Sequence, residues 1–326
     1  MSYKNINGLM RHLRESGIDI AGSRHKRLLQ NTGYFHGYKG YRFFGFSANR
    51  LPFHSYDEVI ATIHYDSCLK ELFYGKVMFI EMAVKNIALE SILEYTGSES
   101  IRAMFDYAVT SYRSSPNNWS EEQKRRSQQN FLRLEGIVQT SLSRAYNINS
   151  PKIAHFYQSE KHSGVPLWAL FDILTLGDFG FLLSCLNFEV RSIISLRIGL
   201  STSADTEYHL VYKYLYALKD LRNAIAHNDV VFDARFRNIE FTRAMKRCLE
   251  LEVGLPYINF KSIDDYLILT CYFLKKLNIT KTEIKALINS FENTVQLYNS
   301  SVNNDVFSRV VRYNLSDRLE ILREYL

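Results

Sequence analysis

An arginine, an asparagine and a histidine fall within six residues at Arg222-Asn223-Ala224-Ile225-Ala226-His227. Imidazole can take or give a proton near neutral pH, and guanidinium holds an oxyanion with a fixed charge. A carboxamide can orient either group. Together the three suit chemistry at a phosphate ester. They equally suit a polar helix end, where a cation beside the last carbonyls is favoured. The spacing does not choose between these readings, because a chain with nine histidines meets Arg-x-x-x-x-His by chance. The setting adds weight. Asn223 and His227 are four apart and share a helical face, about 40° from each other. Arg222 lies about 140° from His227 on an ideal helix, a gap that a second copy of the motif from a partner subunit would close.

Residues 206 to 233 must position these groups, and the chain reads as organised around them. Leu210, Tyr214, Leu218, Leu221 and Ile225 recur at spacings of three and four and mark one helix running into the motif. Before it, residues 5 to 31 read as two short helices split at Gly17-Ile18-Asp19-Ile20. A DNA-reading helix-turn-helix has the same pattern, and so does an ordinary helical hairpin, the more frequent arrangement. Ser55 with Glu58 spells a capping box that opens a helix from Val59 to about Tyr95, with a kink expected at Gly75 and a Glu81–Lys85 pair on one face. Ser120 with Gln123 opens another, polar in its first half, ending near Tyr146. Leu167 to Leu186 reads as an apolar helix pair interrupted at Gly177, with Gly177-Asp178-Phe179-Gly180 as the turn. Ser262, and Thr280 with Glu283, start helices that end near Lys276 and Tyr298. Asp305 to Leu326 reads as one amphipathic helix.

Five prolines and fifteen glycines in 326 residues favour long helices over short strands. Cys68, Cys185, Cys248 and Cys271 are far apart, which argues against a disulfide framework or a zinc site and for a reducing, cytoplasmic setting. No metal and no cofactor is expected. The most apolar stretch, Leu167 to Leu186, contains Asp172 and Asp178, so no membrane span is expected. Of the net charge of +6, residues 1 to 50 carry more than the whole: nine basic residues, Lys4 among them, stand against Glu15 and Asp19. A basic end suits a polyanion partner or a solvated surface. Residues 33 to 46 interleave seven aromatics with His36, Lys39 and Arg42. Such rings stack on bases or fill a core, and core is expected for most of them. Lys39, Arg42, Arg235 and Arg237 are the candidate RNA-binding cations.

Leu221-Arg222-Asn223-Ala224-Ile225-Ala226-His227-Asn228 resembles the Arg-Asn-x-x-x-His signature of the bacterial abortive-infection (Abi) family, a branch of the HEPN superfamily of all-helical RNA-processing proteins. Looser matches accompany it: Gly17-Ile-x-Ile20, the Gly-Tyr segment at 33 to 41, Tyr65-Asp66-x-x-Leu69-Lys70 and Glu81-x-x-x-Lys85-Asn86. Lys85 stands where the family pattern calls for Arg. Val165-Pro166-Leu167-Trp168 and Gly177-Asp178-Phe179-Gly180 complete the set. The likeness covers roughly residues 5 to 235.

The resemblance implies an all-α fold, a helical bundle of HEPN type with additional N-terminal and C-terminal helices. On that scheme residues 1–56 form a basic, aromatic-rich segment packed on the bundle. Residues 57–235 form the core, with a variable insertion at 97–150, and residues 236–326 add C-terminal helices. It also implies an RNA-directed toxin of phage defence, a metal-independent endoribonuclease leaving 2′,3′-cyclic phosphate ends. Arg222, Asn223 and His227 would then be catalytic, at a homodimer interface. Two other readings stay open. One is a non-cleaving protein assembled with a small structured non-coding RNA. The other is a DNA-binding regulator using the N-terminal helices.

Overall fold

The computed structural model describes residues 5–158, 164–200 and 205–326, which leaves Lys4 of the basic run outside the described residues. Within them the chain is all-α, with fifteen helices and no sheet. In order these begin with α1 (Ile6–Glu15), α2 (Gly22–Tyr34), α3 (Tyr56–Thr96), the single turn α4 (Ile101–Ala103) and α5 (Glu121–Asn147). Then come α6 (Ala154–Gln158), α7 (Leu167–Ile173), α8 (Leu176–Cys185), α9 (Phe188–Ile198) and α10 (Leu210–Ala226). The last are α11 (Arg243–Val253), α12 (Ile263–Lys276), α13 (Lys281–Ser301), α14 (Asn304–Val310) and α15 (Leu315–Tyr325). Phe35–Lys39 and Met104–Ala108 are single π-helical turns. No described helix is long and apolar enough to cross a membrane.

Helix starts follow their sequence signals because a polar side chain at the N-cap satisfies an orphan backbone N–H. The Glu58 amide donates to Ser55 Oγ at 3.4 Å, and the Ser55 amide donates back to the Glu58 carboxylate at 3.2 Å. Ser120 and Gln123 make the same reciprocal pair. Thr280 accepts from the Glu283 amide at 3.3 Å. Ser262 sits at the N-cap of α12 but its hydroxyl caps nothing.

Two expected breaks fall elsewhere. The apolar pair divides at Leu174-Thr175, not at Gly177, because the Thr175 hydroxyl accepts from the Asp178 amide at 3.2 Å and starts α8 there. Gly177-Asp178-Phe179-Gly180 is thus the opening of a helix and not a turn. Gly180 serves packing, since a Cβ there would sit 3.0 Å from the Tyr216 ring. The C-terminal stretch is two helices and not one. Val311 leaves α14 in an extended conformation, and both Val310 and Val311 are buried.

The chain divides into two units. The first comprises Met1–Met78, Asp220–Phe241 and Leu249–Leu326. The second comprises Phe79–Lys219 and Thr242–Cys248. The core of the first unit is α12, in which every residue from Ile263 to Leu274 is buried. By burial this helix, more than residues 206 to 233, organises that unit. A helix surrounded on all sides has no amphipathic stripe to advertise it. Its two carboxylates are matched from α15 and from the link between α14 and α15. Arg318 reaches Asp264 at 2.8 Å and Asp265 at 2.6 Å, and Arg312 reaches Asp265 at 2.8 Å. Burial and the adjoining Asp264 push Asp265 up to about 6, against the pull of both guanidiniums and the Asn259 amide. Further ties join α3 to the C-terminal helices within this unit. Tyr65 stacks on Tyr298 at 4.5 Å, and Asn303 donates to the Glu58 carboxylate at 2.7 Å.

In the second unit the expected Glu81–Lys85 pair forms at 3.0 Å, and Lys85 also donates to the Leu174 carbonyl at 2.8 Å. Asp205 caps the start of α10 by accepting from the His209 and Leu210 amides at 2.9 and 2.7 Å.

Candidate functional site

Helix α10 ends on the motif, and the way it ends places His227. The Asp229 amide donates to the Ala224 carbonyl at 2.8 Å and the Asn228 amide to the Ile225 carbonyl at 3.1 Å. That pair of bonds is a Schellman cap with Asn228 in the left-handed region at φ 56. Asparagine tolerates this conformation better than other side-chain-bearing residues. His227 is therefore the C-cap residue, exposed at the negative end of the helix dipole. Its ring is within reach of solvent.

The loop that follows is held by one buried carboxylate. Asp66, on the first half of α3, is fully buried. Its Oδ1 accepts from the Val231 and Phe232 amides at 2.7 and 2.8 Å. Its Oδ2 accepts from the Tyr41 hydroxyl at 3.0 Å and pairs with Lys70 Nζ at 2.8 Å. Lys70 also donates to Asn228 Oδ1 at 2.8 Å. Burial, then the Asp66 charge, raises the Tyr41 phenol, so it stays a neutral donor. The Tyr65-Asp66-x-x-Leu69-Lys70 stretch thus clamps the chain on the far side of His227. Spacing four apart put Asp66 and Lys70 on one helical face, but their partner in the 228–232 loop had no local signal.

Asn223 and His227 line one depression of about 420 Å³, together with Phe35, Asp220, Asp229 and Phe236 among others. The sequence expectation that these two share a face is met. Arg222 is not among the residues that line it. Its Nη1 donates to Asn223 Oδ1 at 3.2 Å, while its Nε is buried without an acceptor. One chain therefore brings Asn223 and His227 together and links Arg222 to them only through the Asn223 carboxamide. Asp220 is buried, with Oδ2 accepting from the Asn238 amide at 2.7 Å. Asp229 is exposed, and Phe35 is about half exposed.

The four candidate RNA-binding cations have different fates. Arg235 faces inward: it pairs with buried Asp233, donates to the Gly40 and Phe43 carbonyls at 2.8 Å each, and lies 4.1 Å over the Phe43 ring. Its donors hold the aromatic segment against the loop after His227, and Asp233 Oδ2 adds a bond from the Gly45 amide at 2.7 Å. Arg42 is half-buried with its Nε lacking an acceptor. Lys39 is exposed, and exposed Arg237 donates to the Phe260 carbonyl at 3.2 Å. Of the seven rings at 34–46, Tyr38 and Tyr41 are buried, Phe35 and Phe46 are exposed, and the other three are intermediate. Core burial is thus the fate of the minority.

No curated protein and no solved structure matches the chain. The sequence profile of the Abi-like protein family matches residues 27–233. That span runs from α2 through the aromatic segment and the Asp66 clamp to the loop beyond His227, and the chain belongs to the Abi-like protein family.

Proposed function

We propose that the protein is an RNA-directed effector of abortive infection that cleaves RNA at the end of α10, using side chains alone. The observation that carries this reading is the joint presence of Asn223 and His227 in one open depression, on a helix end whose trailing loop is clamped by Asp66. In the reaction the ribose 2′-OH attacks the adjacent phosphorus. The imidazole of His227 takes the hydroxyl proton, and the 5′-oxygen leaves as a hydroxyl once protonated. The products are a 2′,3′-cyclic phosphate and a 5′-hydroxyl. Asn223, whose carbonyl oxygen is occupied by Arg222, keeps its amide N–H groups to donate toward the phosphate.

A single copy is short of two things. One imidazole cannot be base and acid in the same step. The depression is also not cationic, because Asp220 and Asp229 line it while Arg235 is neutralised by Asp233. A second copy presenting its own Arg222 and His227 would supply the acid and the positive charge that the developing phosphorane needs. The half-open Phe35 ring offers a stacking surface for an unpaired base, which favours single-stranded RNA as substrate.

The test is cleavage of an end-labelled RNA panel, with product ends identified by phosphatase sensitivity. Wild type leaves cyclic phosphate ends, and His227→Ala and Arg222→Ala leave the RNA intact. Mixing the two inactive variants restores partial cleavage if the site is shared between copies. Tight RNA binding with no turnover in any form would instead favour a non-cleaving RNA-bound protein.

A further inference from the structure

The second unit contains a cavity of about 180 Å³ lined by none of the residues discussed above as the site. Trp119, Arg126, Asn130, Ser184 and Arg191 are among its lining residues, and no carboxylate lines it. Arg191 is its unusual member. Its Nη1 donates to the Leu186 carbonyl at 2.6 Å and its Nε to the Glu207 carbonyl at 3.2 Å, both uncharged acceptors. Among the described residues no carboxylate comes within ion-pair distance of it. Burial lowers the pKa of this guanidinium, and the nearby Tyr212, Glu207, Asp205 and Glu189 act on it only through space. A half-buried guanidinium with no carboxylate in direct contact is stabilised by an anion that enters beside it. Among the described residues Nη2 has no hydrogen-bond acceptor. Arg126, exposed on α5, adds a second positive charge. Asn130 and Ser184 add neutral polar groups, and the half-buried Trp119 adds an aromatic surface.

We propose that this cavity binds the phosphate of a nucleotide, with Arg191 and Arg126 on the phosphate oxygens and Trp119 against the base. Two guanidiniums with no lining acid select an oxyanion and reject a cation. Drug-sized ligands need about 300 Å³ or more, so this space takes the phosphate and sugar and leaves the base at Trp119. The phosphate could belong to a free mononucleotide or to the end of an RNA strand.

The chain has two tryptophans, so Trp168→Phe leaves Trp119 as the one indole reporter. The full-length W168F protein is titrated with adenosine, AMP, a 5′-phosphorylated hexaribonucleotide and the same strand with a 5′-hydroxyl. AMP or the phosphorylated strand should give a saturable fluorescence change that adenosine and the 5′-hydroxyl strand do not. Whichever of the two binds tighter identifies the source of the phosphate. Arg126→Gln removes no hydrogen bond or ion pair among the described residues and should weaken binding about tenfold, with Arg191→Gln weakening it more. His227→Ala should bind unchanged, which separates this site from the proposed cleavage reaction. Absence of a saturable change with every phosphate probe overturns the proposal. So does a saturable change with adenosine or the 5′-hydroxyl strand as tight as with its phosphorylated counterpart, or an Arg126→Gln protein that binds like its parent.

Discussion

Two groups of polar residues in the same unit show opposite ways of using charge. On α12, Asp264 and Asp265 are buried and matched within 3.3 Å by Arg318 on α15 and by Arg312 in the link before it. At the end of α10, His227 and Asp229 are exposed beside an open depression. The first cluster has its charges answered inside the protein. In the second, no side chain among the described residues pairs with His227, and its surroundings are what is fixed: Asp66 and Lys70 hold the chain beyond the open imidazole, and the Schellman cap ties Asn228 and Asp229 back to Ile225 and Ala224. Burying charge with partners gives rigidity and specificity of fold, while an unanswered side chain on a rigid frame is what chemistry needs.

The sharpest way to break this contrast is to exchange the consequences. His227→Ala should lower RNA cleavage by about a thousandfold or more, the usual share of a general base, while moving unfolding stability by less than about 0.5 kcal/mol. Cleavage rates and urea unfolding on the same preparation check both halves. Arg318→Met should do the reverse. Removing one partner of a buried ion network leaves Asp264 and Asp265 short of a cation, at about 3–5 kcal/mol. Any cleavage that survives should scale with the folded fraction. An Arg318→Met protein as stable as wild type would mean the cluster is not holding the unit together.

Asp66 lies between these extremes, since it is a buried charge whose role is to fix the open site. Asp66→Ala leaves the Val231 and Phe232 amides, the Tyr41 hydroxyl and the Lys70 ammonium without their acceptor, and should cost about 3 kcal/mol or more. A milder probe is Asn228→Ala. It loses the Lys70 bond and places a Cβ-bearing residue less suited to φ 56 at the cap, for about 1–2 kcal/mol together. If the clamp positions the catalytic loop, Asn228→Ala should reduce the cleavage rate of the folded protein as well as its stability. Loss of stability alone would confine the clamp to folding.

How much of this could be read beforehand divides along the same line. The all-helical class, the capping residues Ser55, Ser120 and Thr280, and the shared face of Asn223 and His227 are local properties. Periodicity and i,i+3 chemistry report them directly. Arg235 is the opposite case. It looked like a free cation for RNA because nothing in its neighbourhood announces Gly40 and Phe43, nearly two hundred residues earlier, as its acceptors. The same holds for α12. Its run of apolar residues carries no stripe, and the partners of Asp264 and Asp265 lie about fifty residues on. Asp66 was visible as part of a motif, but its function as a clamp depends on a loop brought to it by the fold.

The smallest predicted effect separates the two units by pH. His209, in the second unit, is half-buried near Arg191 and Lys213, and desolvation followed by those two charges lowers its pKa to about 4, with Asp205 opposing. An unfolded histidine titrates near 6.5. The folded value is the lower one, so between these two values the unfolded chain binds a proton that the folded chain refuses. Stability from this group is complete above about 6.5 and is lost as pH falls toward 4. Because the ring is partly open to solvent, the loss should be about 1 kcal/mol and not the full value of the shift. His209→Gln cannot take a proton, so it should flatten the slope of unfolding free energy between pH 7 and about 4.5. Because His209 belongs to the second unit, probes there, such as Trp119 fluorescence, should register the change. A slope that persists in His209→Gln would assign the acid sensitivity to other groups, with the α12 carboxylates of the first unit the next to test.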